Sequence, residues 1–282
     1  MNGKKTVLPS HMKRAMDRLE RLGGVVNLVI EVVDARAPRA TRCDFIAKII
    51  GGCRTAVIFT KTDLADPTAT KDWIEEFRRE GKQAVQLGAR GNSDRERIMR
   101  ALIEAAGDTG PAGARAVVAG LPNVGKSTVT NFLIGKRSAR VGAAPGITRG
   151  LQLVRLRDNF LLVDTPGIVS PRIARREEGV VLALVGCLQE NMYDAEEAAF
   201  GLLQAALPAY GSIFLKFYGI SDTAGDTNDP TAFCEALAVR RGFLKKGGEP
   251  DLDRAFKTLV RDFSTGRLSG ITLERPGHPR KK

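Results

Sequence analysis

Short apolar runs alternate with amphipathic segments along the first 170 residues of the chain. The run at 25–33 is rich in β-branched residues, which is typical of a strand buried on both faces. Hydrophobic side chains at helical spacing then predict a helix over 68–80. The same reasoning predicts further strands at 55–59, 84–87, 116–119, 150–156 and 160–163, and helices at 44–50, 93–106 and 126–133. Strands and helices that alternate in this way predict a doubly wound α/β sheet.

The pattern changes at two places. Residues 107–113 contain three glycines and a proline, which indicates a flexible connector between two blocks of strands and helices. From about residue 171 onward the apolar spacing predicts helices only. We therefore expect a basic N-terminal segment at 1–24, an α/β domain at 25–170 and an all-α domain at 171–282.

Residues 120–127 carry the strongest chemical signal. They read Gly-Leu-Pro-Asn-Val-Gly-Lys-Ser, a full match to the phosphate-binding pattern GxxxxGK[ST], between a predicted strand and a predicted helix. In such a loop backbone N–H groups turn towards phosphate oxygens, and the helix adds the positive end of its dipole. We expect Lys126 to reach the terminal phosphates and Ser127 to bind Mg²⁺. The nucleotide-binding residues expected in this region are Asn123, Val124, Gly125, Lys126, Ser127 and Thr128.

A second motif for the phosphate end of a nucleotide lies at 164–167 and reads Asp-Thr-Pro-Gly. Asp164, at the end of a predicted strand, suits a water-mediated contact with Mg²⁺, and the Gly167 N–H suits a contact with the γ-phosphate. Thr148 lies between the two motifs, where it is expected to hold Mg²⁺ and the γ-phosphate. For an isolated DxxG the alternative is a β-turn, and the interpretation of Thr148 rests on order and spacing.

Residues 60–63 indicate which base is bound. The sequence Thr60, Lys61, Thr62, Asp63 follows a predicted strand and resembles the NKxD guanine-reading motif of GTPases. A carboxylate at Asp63 accepts hydrogen bonds from N1 and N2 of guanine, a pair that adenine does not offer. Lys61 is expected to lie along the plane of the base. Thr60 stands where the motif has asparagine, which is a departure from the pattern.

The next predicted strand is followed by Gly88, Ala89 and Arg90, where GTPases commonly carry SA[KL]. The Ala89 N–H is expected to meet O6 of guanine. Gly88 in place of serine is a second departure from the pattern. All three residues are expected to contribute to nucleotide binding.

The order of these motifs is unusual. In Ras-like GTPases the phosphate loop comes first and the base-reading motifs come last, whereas here 60–63 and 88–90 precede 120–127 and 164–167. The chain therefore resembles a circularly permuted GTPase. Permutation is tolerated because the termini of a domain often lie close together, and the connector at 107–113 is the expected junction of the original ends.

Over almost its full length the chain resembles the YlqF/RbgA family of ribosome biogenesis GTPases. The resemblance is carried by Pro-Ser-His-Met at 9–12, where the family has PGHM, by Asp-Ala-Arg at 34–36, and by segments 241–244, 247–248 and 262–268. It implies a circularly permuted Ras-like P-loop GTPase domain followed by a small helical domain that binds rRNA or the ribosome. It also implies GTP hydrolysis, stimulated by the ribosomal particle, in late assembly of the large ribosomal subunit.

The resemblance also bears on catalysis. The glutamine that orients the attacking water in Ras-like enzymes is replaced by Ile168. Asn123 resembles the asparagine that helps to bind K⁺ beside the phosphates in K⁺-stimulated relatives; the alternative is that it only braces the loop. The family gives His11 a proposed catalytic role; the alternatives are packing or an RNA contact. The expected catalytic set is His11, Asn123, Lys126, Thr148 and Gly167.

Charge favours a nucleic-acid partner. The chain has 44 Lys plus Arg against 32 Asp plus Glu, a net charge of +12, and the excess is concentrated in residues 1–24 and 235–282. A basic flank of this kind favours a polyanion; solvated helix faces are the alternative. With the resemblance, the expected partners are rRNA and the precursor of the large ribosomal subunit, and no membrane. A monomer is expected.

The four cysteines form no CxxC pair, which argues against a zinc ribbon or a thioredoxin-type site. No secretory signal or membrane span is recognisable, so we expect a cytoplasmic protein. One alternative to a GTPase is a nucleotide-gated RNA-binding module with negligible hydrolysis. Another is an ATP-dependent kinase, against which Asp63 argues.

Overall fold

A mixed seven-stranded sheet forms the centre of the protein. The computed structural model describes residues 23–88, 92–135, 139–141, 152–164, 176–221 and 229–277. The described strands are β1 (Leu28–Asp34), β2 (Arg54–Thr60), β3 (Gln83–Gln86), β4 (Ala114–Ala119), β5 (Ala139–Val141), β6 (Gln152–Arg157) and β7 (Phe160–Asp164). The described helices are α1 (Phe45–Ile49), α2 (Pro67–Arg79), α3 (Asn92–Ala106), α4 (Lys126–Ile134), α5 (Arg176–Leu184), α6 (Ala195–Tyr218), α7 (Pro230–Arg240) and α8 (Leu252–Ser264).

Both faces of the sheet are covered. On one face Val57 and Phe59 of β2 pack with Trp73 and Phe77 of α2. Ile58 lies between them in sequence and therefore points to the opposite face, where it joins the main hydrophobic cluster with residues of α3. Burial on both faces explains why these strands are continuous apolar runs, as the sequence pattern predicted.

The strand order β3-β2-β1-β4-β7-β6-β5 brings the expected motifs to one edge. The first five of these strands are parallel, and β6 and β5 are antiparallel to their neighbours. Asp34 pairs with Thr60 in the register, so β1 and β2 end side by side. β2 and β3 lie on one side of β1 and β4 lies on the other, which opens a crevice beyond the carboxyl ends of β1 and β4.

The sequence predicted the α/β sheet and the helical C-terminal region, and both are present. The boundaries of most elements differ by no more than three residues. Strand β5, which pairs with β6 over three residues at the edge of the sheet, was not predicted from the sequence. A strand this short has no periodicity to detect.

Among the residues that the structure describes, helices α5 to α8 follow the sheet in the chain. Within the described residues α6 is the one helix long and apolar enough to cross a membrane, by length and composition alone. It packs against α5, α7 and α8, and its Leu202, Leu203 and Phe214 are fully buried, which is the packing of a core helix. Its backbone is kinked at Tyr210, two residues after Pro208.

The chain returns to the sheet after α8. The Gly270 amide donates to the Leu64 carbonyl at 2.8 Å, and the Leu273 amide donates to the Arg36 carbonyl at 2.7 Å. The Trp73 indole donates to the Glu274 carbonyl at 2.9 Å. The C-terminal stretch therefore lies against β1 and α2. The expected domain boundaries at residues 24 and 170 remain a proposal, and residue 170 lies outside the described residues.

Glu31 is a buried carboxylate in the middle of β1. One of its oxygens accepts a hydrogen bond from the Cys43 amide, and the other has no partner among the described residues. Burial raises the pKa of Glu31 above its usual value of 4.5, and the nearby Arg42 guanidinium offsets only part of this.

We expect Glu31→Gln to stabilise the protein increasingly as pH rises. A carboxyl whose pKa is raised on folding binds its proton more tightly in the native state, so the wild-type protein loses stability as pH rises from 4.5 through the folded pKa. Glutamine does not titrate, so the free energy of unfolding of the variant does not fall with pH for this reason. The wild-type decrease is about 1.4 kcal/mol per unit of pKa shift. Urea unfolding between pH 4.5 and 8 measures it. The exposed Glu104→Gln is the matched control, and parallel curves for Glu31→Gln and wild type would contradict the expectation.

Candidate functional site

The loop between β4 and α4 has the backbone geometry of a phosphate cradle. A Cβ on Gly120 would lie 2.8 Å from the Val32 carbonyl oxygen, so only glycine lets the loop pass this close to β1. Gly125 has φ +101° and Asn123 has φ 59°, so both lie in the left-handed region. These turns deliver the chain directly into the first turn of α4, whose N–H groups face the mouth of the loop.

Lys126 lies over this loop. Its ammonium donates to the Leu121 carbonyl at 2.6 Å, and burial lowers its pKa below the usual 10.5. No carboxylate of the described residues forms an ion pair with it. A half-buried ammonium that has no carboxylate partner among the described residues, at the N-terminus of a helix, is an arrangement that attracts an anion.

The hydroxyl residues that follow Lys126 open the first turn of α4. Ser127 is exposed, Thr128 is half-buried and Val124 is buried in the core. The Ser127 side chain therefore stands at the positive end of the α4 dipole, within reach of a ligand in the loop. Val124 anchors the loop to the core rather than facing solvent.

Thr60 joins the expected base-reading segment to the phosphate loop. Its hydroxyl lies 3.0 Å from the Val33 carbonyl oxygen and is also hydrogen-bonded to the Val124 carbonyl. A Cβ on Gly125 would lie 3.3 Å from the Thr60 side chain. Two motifs separated by 64 residues are therefore in direct contact. The threonine that departs from the NKxD pattern makes this bridge with its hydroxyl, a role that the sequence did not reveal.

Lys61 and Asp63 follow at the end of β2. Lys61 has φ 53°, an uncommon conformation for a residue other than glycine, and its ammonium lies 2.8 Å from Asp34 Oδ2. Asp63 is exposed. The Thr62 hydroxyl donates to the Leu87 carbonyl at 3.3 Å, which ties this segment to the residue before Gly88. Both expected base-reading segments thus start from the same edge of the sheet.

Asp34 is a functional candidate for which the sequence suggested no role beyond the family resemblance. Its side chain is fully buried at the end of β1, between the two expected motif groups. Burial on its own would raise the pKa of Asp34, but the hydrogen bonds and charges of Arg36 and Lys61 outweigh it and hold the pKa below its usual value. Asp34 therefore stays ionised and holds two cations in place.

Several expected site residues lie outside the described residues: His11, Ala89, Arg90, Thr148 and Gly167. The backbone of Asp164 ends β7 beside β4, at the same edge as the phosphate loop, but its side chain is not among those described. The structure thus places Thr60 against the loop at 120–127 and ties segment 60–63 to Leu87, the residue before Gly88. The roles of all these residues remain predictions.

Asn123, at the tip of the loop, contacts the helical region. Its side-chain amide donates to the Gly186 carbonyl at 2.8 Å, just beyond the end of α5. A carbonyl accepts only from the NH₂ group, so the amide oxygen of Asn123 points away from this contact. That oxygen is the atom of Asn123 that a cation could use.

Comparison with protein-family models gives one match, described as "50S ribosome-binding GTPase", over residues 115–198. The match starts in β4, just before the phosphate loop, and excludes residues 60–63 and 88–90. The region that carries the phosphate motifs is therefore recognisable on its own, as expected if the base-reading motifs have moved to the front of the chain.

Curated proteins match the chain over almost its full length. "Ribosome biogenesis GTPase A" of Thermotoga maritima is 35% identical over 274 residues, which cover 95% of this chain and 93% of that protein. The protein of the same name from Bacillus cereus is 30% identical over 277 residues and covers 95% of this chain and 93% of its own length.

Two solved structures of YlqF from T. maritima are also similar, each 31% identical to this chain. The structure described as GNP-bound has a TM-score of 0.63 and covers 95% of this chain and 99% of its own. The GDP-bound structure has a TM-score of 0.60 and covers 90% of this chain and 97% of its own. These relatives hold guanine nucleotides in a fold that this chain shares.

Proposed function

This chain belongs to the ribosome biogenesis GTPase A family, and we propose that it binds the precursor of the large ribosomal subunit, through rRNA, when GTP is bound and leaves when GTP is hydrolysed. It is a GTPase of ribosome biogenesis. The observation that best supports the proposed nucleotide site is the contact of Thr60 with Val124, because it joins segments 60–63 and 120–127 in one crevice.

The proposed base site lies beyond the end of β2. Asp63 would accept hydrogen bonds from N1 and N2 of guanine, and its exposure leaves both carboxylate oxygens accessible. Lys61 would lie along the base, with Gly88, Ala89 and Arg90 on the other side. The GNP-bound and GDP-bound relatives support guanine as the base.

The proposed phosphate site is the loop at 120–127 with Lys126. Mg²⁺ fits the donor set here, because Ser127 presents an exposed hydroxyl at the start of α4 and hard oxygen ligands suit this ion. Ser127, Thr148 and Asp164 would hold it, and the ion would neutralise charge that develops on the phosphates. Lys126 and the loop N–H groups would stabilise the same charge, and Gly167 would contact the γ-phosphate.

Asn123 is proposed to bind K⁺ through its amide oxygen. The geometry fits, because the NH₂ group is held by the Gly186 carbonyl and the oxygen is turned away from it. A cation there would add positive charge beside the phosphates, as an arginine finger does in other GTPases. His11 is proposed to assist the attacking water, since Ile168 has no polar group for this task.

We expect GTP hydrolysis to be faster in KCl than in NaCl at equal ionic strength, by about tenfold, which corresponds to about 1.4 kcal/mol of barrier. The physical reason is that K⁺ is larger and sheds water more readily than Na⁺. The measurement is phosphate release at saturating GTP, with Asn123→Ala as the variant that should abolish the difference. Equal rates in the two salts for the wild-type protein would remove K⁺ from the proposal.

The proposed RNA surface is the basic segment around the end of α7. Arg240, Arg241, Lys245 and Lys246 are exposed, and Val239 and Leu244 among them are exposed apolar side chains at 60% and 51%. Further expected contributors are Arg254, Lys257, Arg261 and the N-terminal segment 1–24. The protein would act as a cytoplasmic monomer without contacting a membrane.

Sedimentation with large-subunit precursor particles tests the function. The protein should pellet with particles in a non-hydrolysable GTP analogue and much less in GDP, and particles should accelerate GTP hydrolysis. Lys245→Glu/Lys246→Glu should weaken binding, whereas Lys48→Glu/Lys71→Glu, with the same change of charge on exposed sites of α1 and α2, should not. Binding that ignores the nucleotide, together with no stimulation of hydrolysis, would contradict the proposal.

A further inference from the structure

Arg36 has an unusual environment. Its side chain is fully buried, and every one of its five N–H groups has an acceptor. Nε and one hydrogen of Nη2 hold Asp34 bidentately at 3.0 and 2.8 Å. The other three N–H groups donate to backbone carbonyls of Phe263 at 2.7 Å, Val185 at 3.2 Å and Ser264 at 3.4 Å.

Those three carbonyls belong to the helical region. Val185 follows directly on α5, and Phe263 and Ser264 are the last residues of α8. The carbonyl ends of two helices therefore converge on one guanidinium, whose positive charge compensates the negative ends of their dipoles. The Phe263 ring also lies under the guanidinium, 5.2 Å from its carbon. Arg36 thus holds the helical region to the end of β1.

Lys61 shares two of these partners. Its ammonium lies 2.8 Å from Asp34 Oδ2, the oxygen that Arg36 Nη2 also contacts, and it donates to the Val185 carbonyl at 3.5 Å. Asp34 cannot move towards or away from Lys61 without changing its bidentate pair with Arg36. A shift of α5 or α8 would therefore alter the position of Lys61, and a shift of Lys61 would alter the helix ends.

The same turn of the helical region reaches the phosphate side of the crevice. Gly186, next to Val185, accepts the hydrogen bond from Asn123 in the phosphate loop. Residues 185–186 therefore contact Lys61 and Asn123 at once, and Lys61 is the one of these two that also contacts Asp34. The proposed nucleotide site and the helical region are thus joined by direct contacts, so a movement of one would be transmitted to the other.

We propose that Asp34 and Arg36 are positioning residues: they hold Lys61 for guanine and make its position depend on the docking of α5 and α8, so that guanine binding and the placement of the helical region are coupled. This rests on the proposed placement of guanine against Lys61. By reciprocity, a partner that shifts the helical region would change nucleotide affinity, and the nucleotide would change affinity for that partner by the same factor.

The test is a double-mutant cycle on GDP affinity in the full-length protein. Arg36→Lys keeps the charge but cannot make the bidentate pair and reach three carbonyls at once, and we expect it to weaken GDP binding about tenfold. Lys61→Ala should also weaken it. In the Lys61→Ala background, Arg36→Lys should change the GDP dissociation constant less than about twofold, because its effect passes through Lys61. Equal effects of Arg36→Lys in both backgrounds would overturn the proposal.

Arg275→Lys is the matched control. Arg275 also ties the C-terminal region to the α/β part, through Asp66 at 2.7 Å. It donates as well to the hydroxyl of Tyr210 on α6 at 2.8 Å, and no hydrogen bond or ion pair joins it to Lys61. It should lower thermal stability while leaving the GDP dissociation constant unchanged. A loss of GDP affinity in Arg275→Lys equal to that in Arg36→Lys would show that general loosening, not Lys61, carries the effect.

Hydrogen exchange on the wild-type protein keeps the proposal testable if Arg36→Lys does not fold. Saturating GDP should increase protection of amides at 185–187 and 265–268, and ADP at the same concentration should not. No change at either segment would overturn the coupling. If Lys61→Ala binds GDP as well as wild type, the proposed base site is wrong; if it binds poorly but Arg36→Lys binds normally, only the coupling is wrong.

Discussion

Asp63→Asn is expected to lower affinity for GDP about 10³-fold, because two hydrogen bonds from guanine to a carboxylate are each worth about 1.5–3 kcal/mol. The substituted amide can accept only through its oxygen, and its NH₂ group would face a donor of the base. Xanthine carries an oxygen in place of the N2 amino group, so the variant should bind xanthosine diphosphate more tightly than GDP. Competition against a fluorescent nucleotide measures the affinity of the wild-type protein for GDP and the affinities of the variant for GDP and xanthosine diphosphate.

Asp72→Asn is the matched control for this change. Asp72 is an exposed carboxylate on α2 and lies outside both expected base-reading segments, so its loss should leave GDP affinity unchanged. An Asp63→Asn variant that keeps GDP affinity within about twofold of wild type would mean that segment 60–63 does not read the base. Strong binding of ADP by the wild-type protein would lead to the same conclusion.

The sequence predicted that the motifs lie at one edge of the sheet, because each motif follows a strand. Parallel strands that alternate with helices must end at one edge of the sheet, so the segments at 60–63, 88–90 and 120–127 were bound to start from the same side. The inverted order of the motifs along the chain does not change this expectation, because the order of strands in the sheet depends on their pairing and not on which element comes first. The similar proteins from T. maritima confirm the fold and the family of this chain.

The contacts between the motifs were not predictable from the sequence. In the sequence Thr60 is only a departure from the asparagine of the NKxD pattern. In the structure its hydroxyl lies next to the carbonyls of both Val33 and Val124, and this contact depends on how β2 packs against the loop. The same is true of Arg36, whose three backbone acceptors lie 149 to 228 residues away along the chain. A one-dimensional pattern reports local periodicity and gives no information about which distant carbonyl a buried side chain will meet.

Charge balance explains why the crevice can both hold a nucleotide and respond to it. Asp34 lies between Arg36 and Lys61, so this buried group carries one excess positive charge, and Lys126 adds another at the loop. The two ammonium groups donate to backbone carbonyls, Lys61 to Val185 and Lys126 to Leu121. A neutral carbonyl is a weaker acceptor for an ammonium than a phosphate, so a bound nucleotide should displace the Leu121 carbonyl from Lys126 with little loss.

Lys126→Met is expected to abolish stabilisation by nucleotide while leaving the free protein about as stable as wild type. Burial already lowers the pKa of Lys126, which means that the charged ammonium is disfavoured where it lies, and its hydrogen bond to the Leu121 carbonyl offsets part of that. Methionine fills a similar volume without charge. We therefore expect the free energy of unfolding without nucleotide to change by less than about 1 kcal/mol.

With GDP the two proteins should diverge. A ligand at 100 times its dissociation constant stabilises the native state by about 2.7 kcal/mol, which for a protein of this length raises the melting temperature by several degrees. Loss of the charge-assisted bonds from Lys126 to the phosphates should weaken binding about 10² to 10³-fold and remove most of this shift. Thermal unfolding with and without GDP measures it, and Lys71→Met on the exposed face of α2 should keep the full shift. A wild-type shift in Lys126→Met would mean that the loop at 120–127 does not hold the phosphates, because no other single change removes so much charge from it.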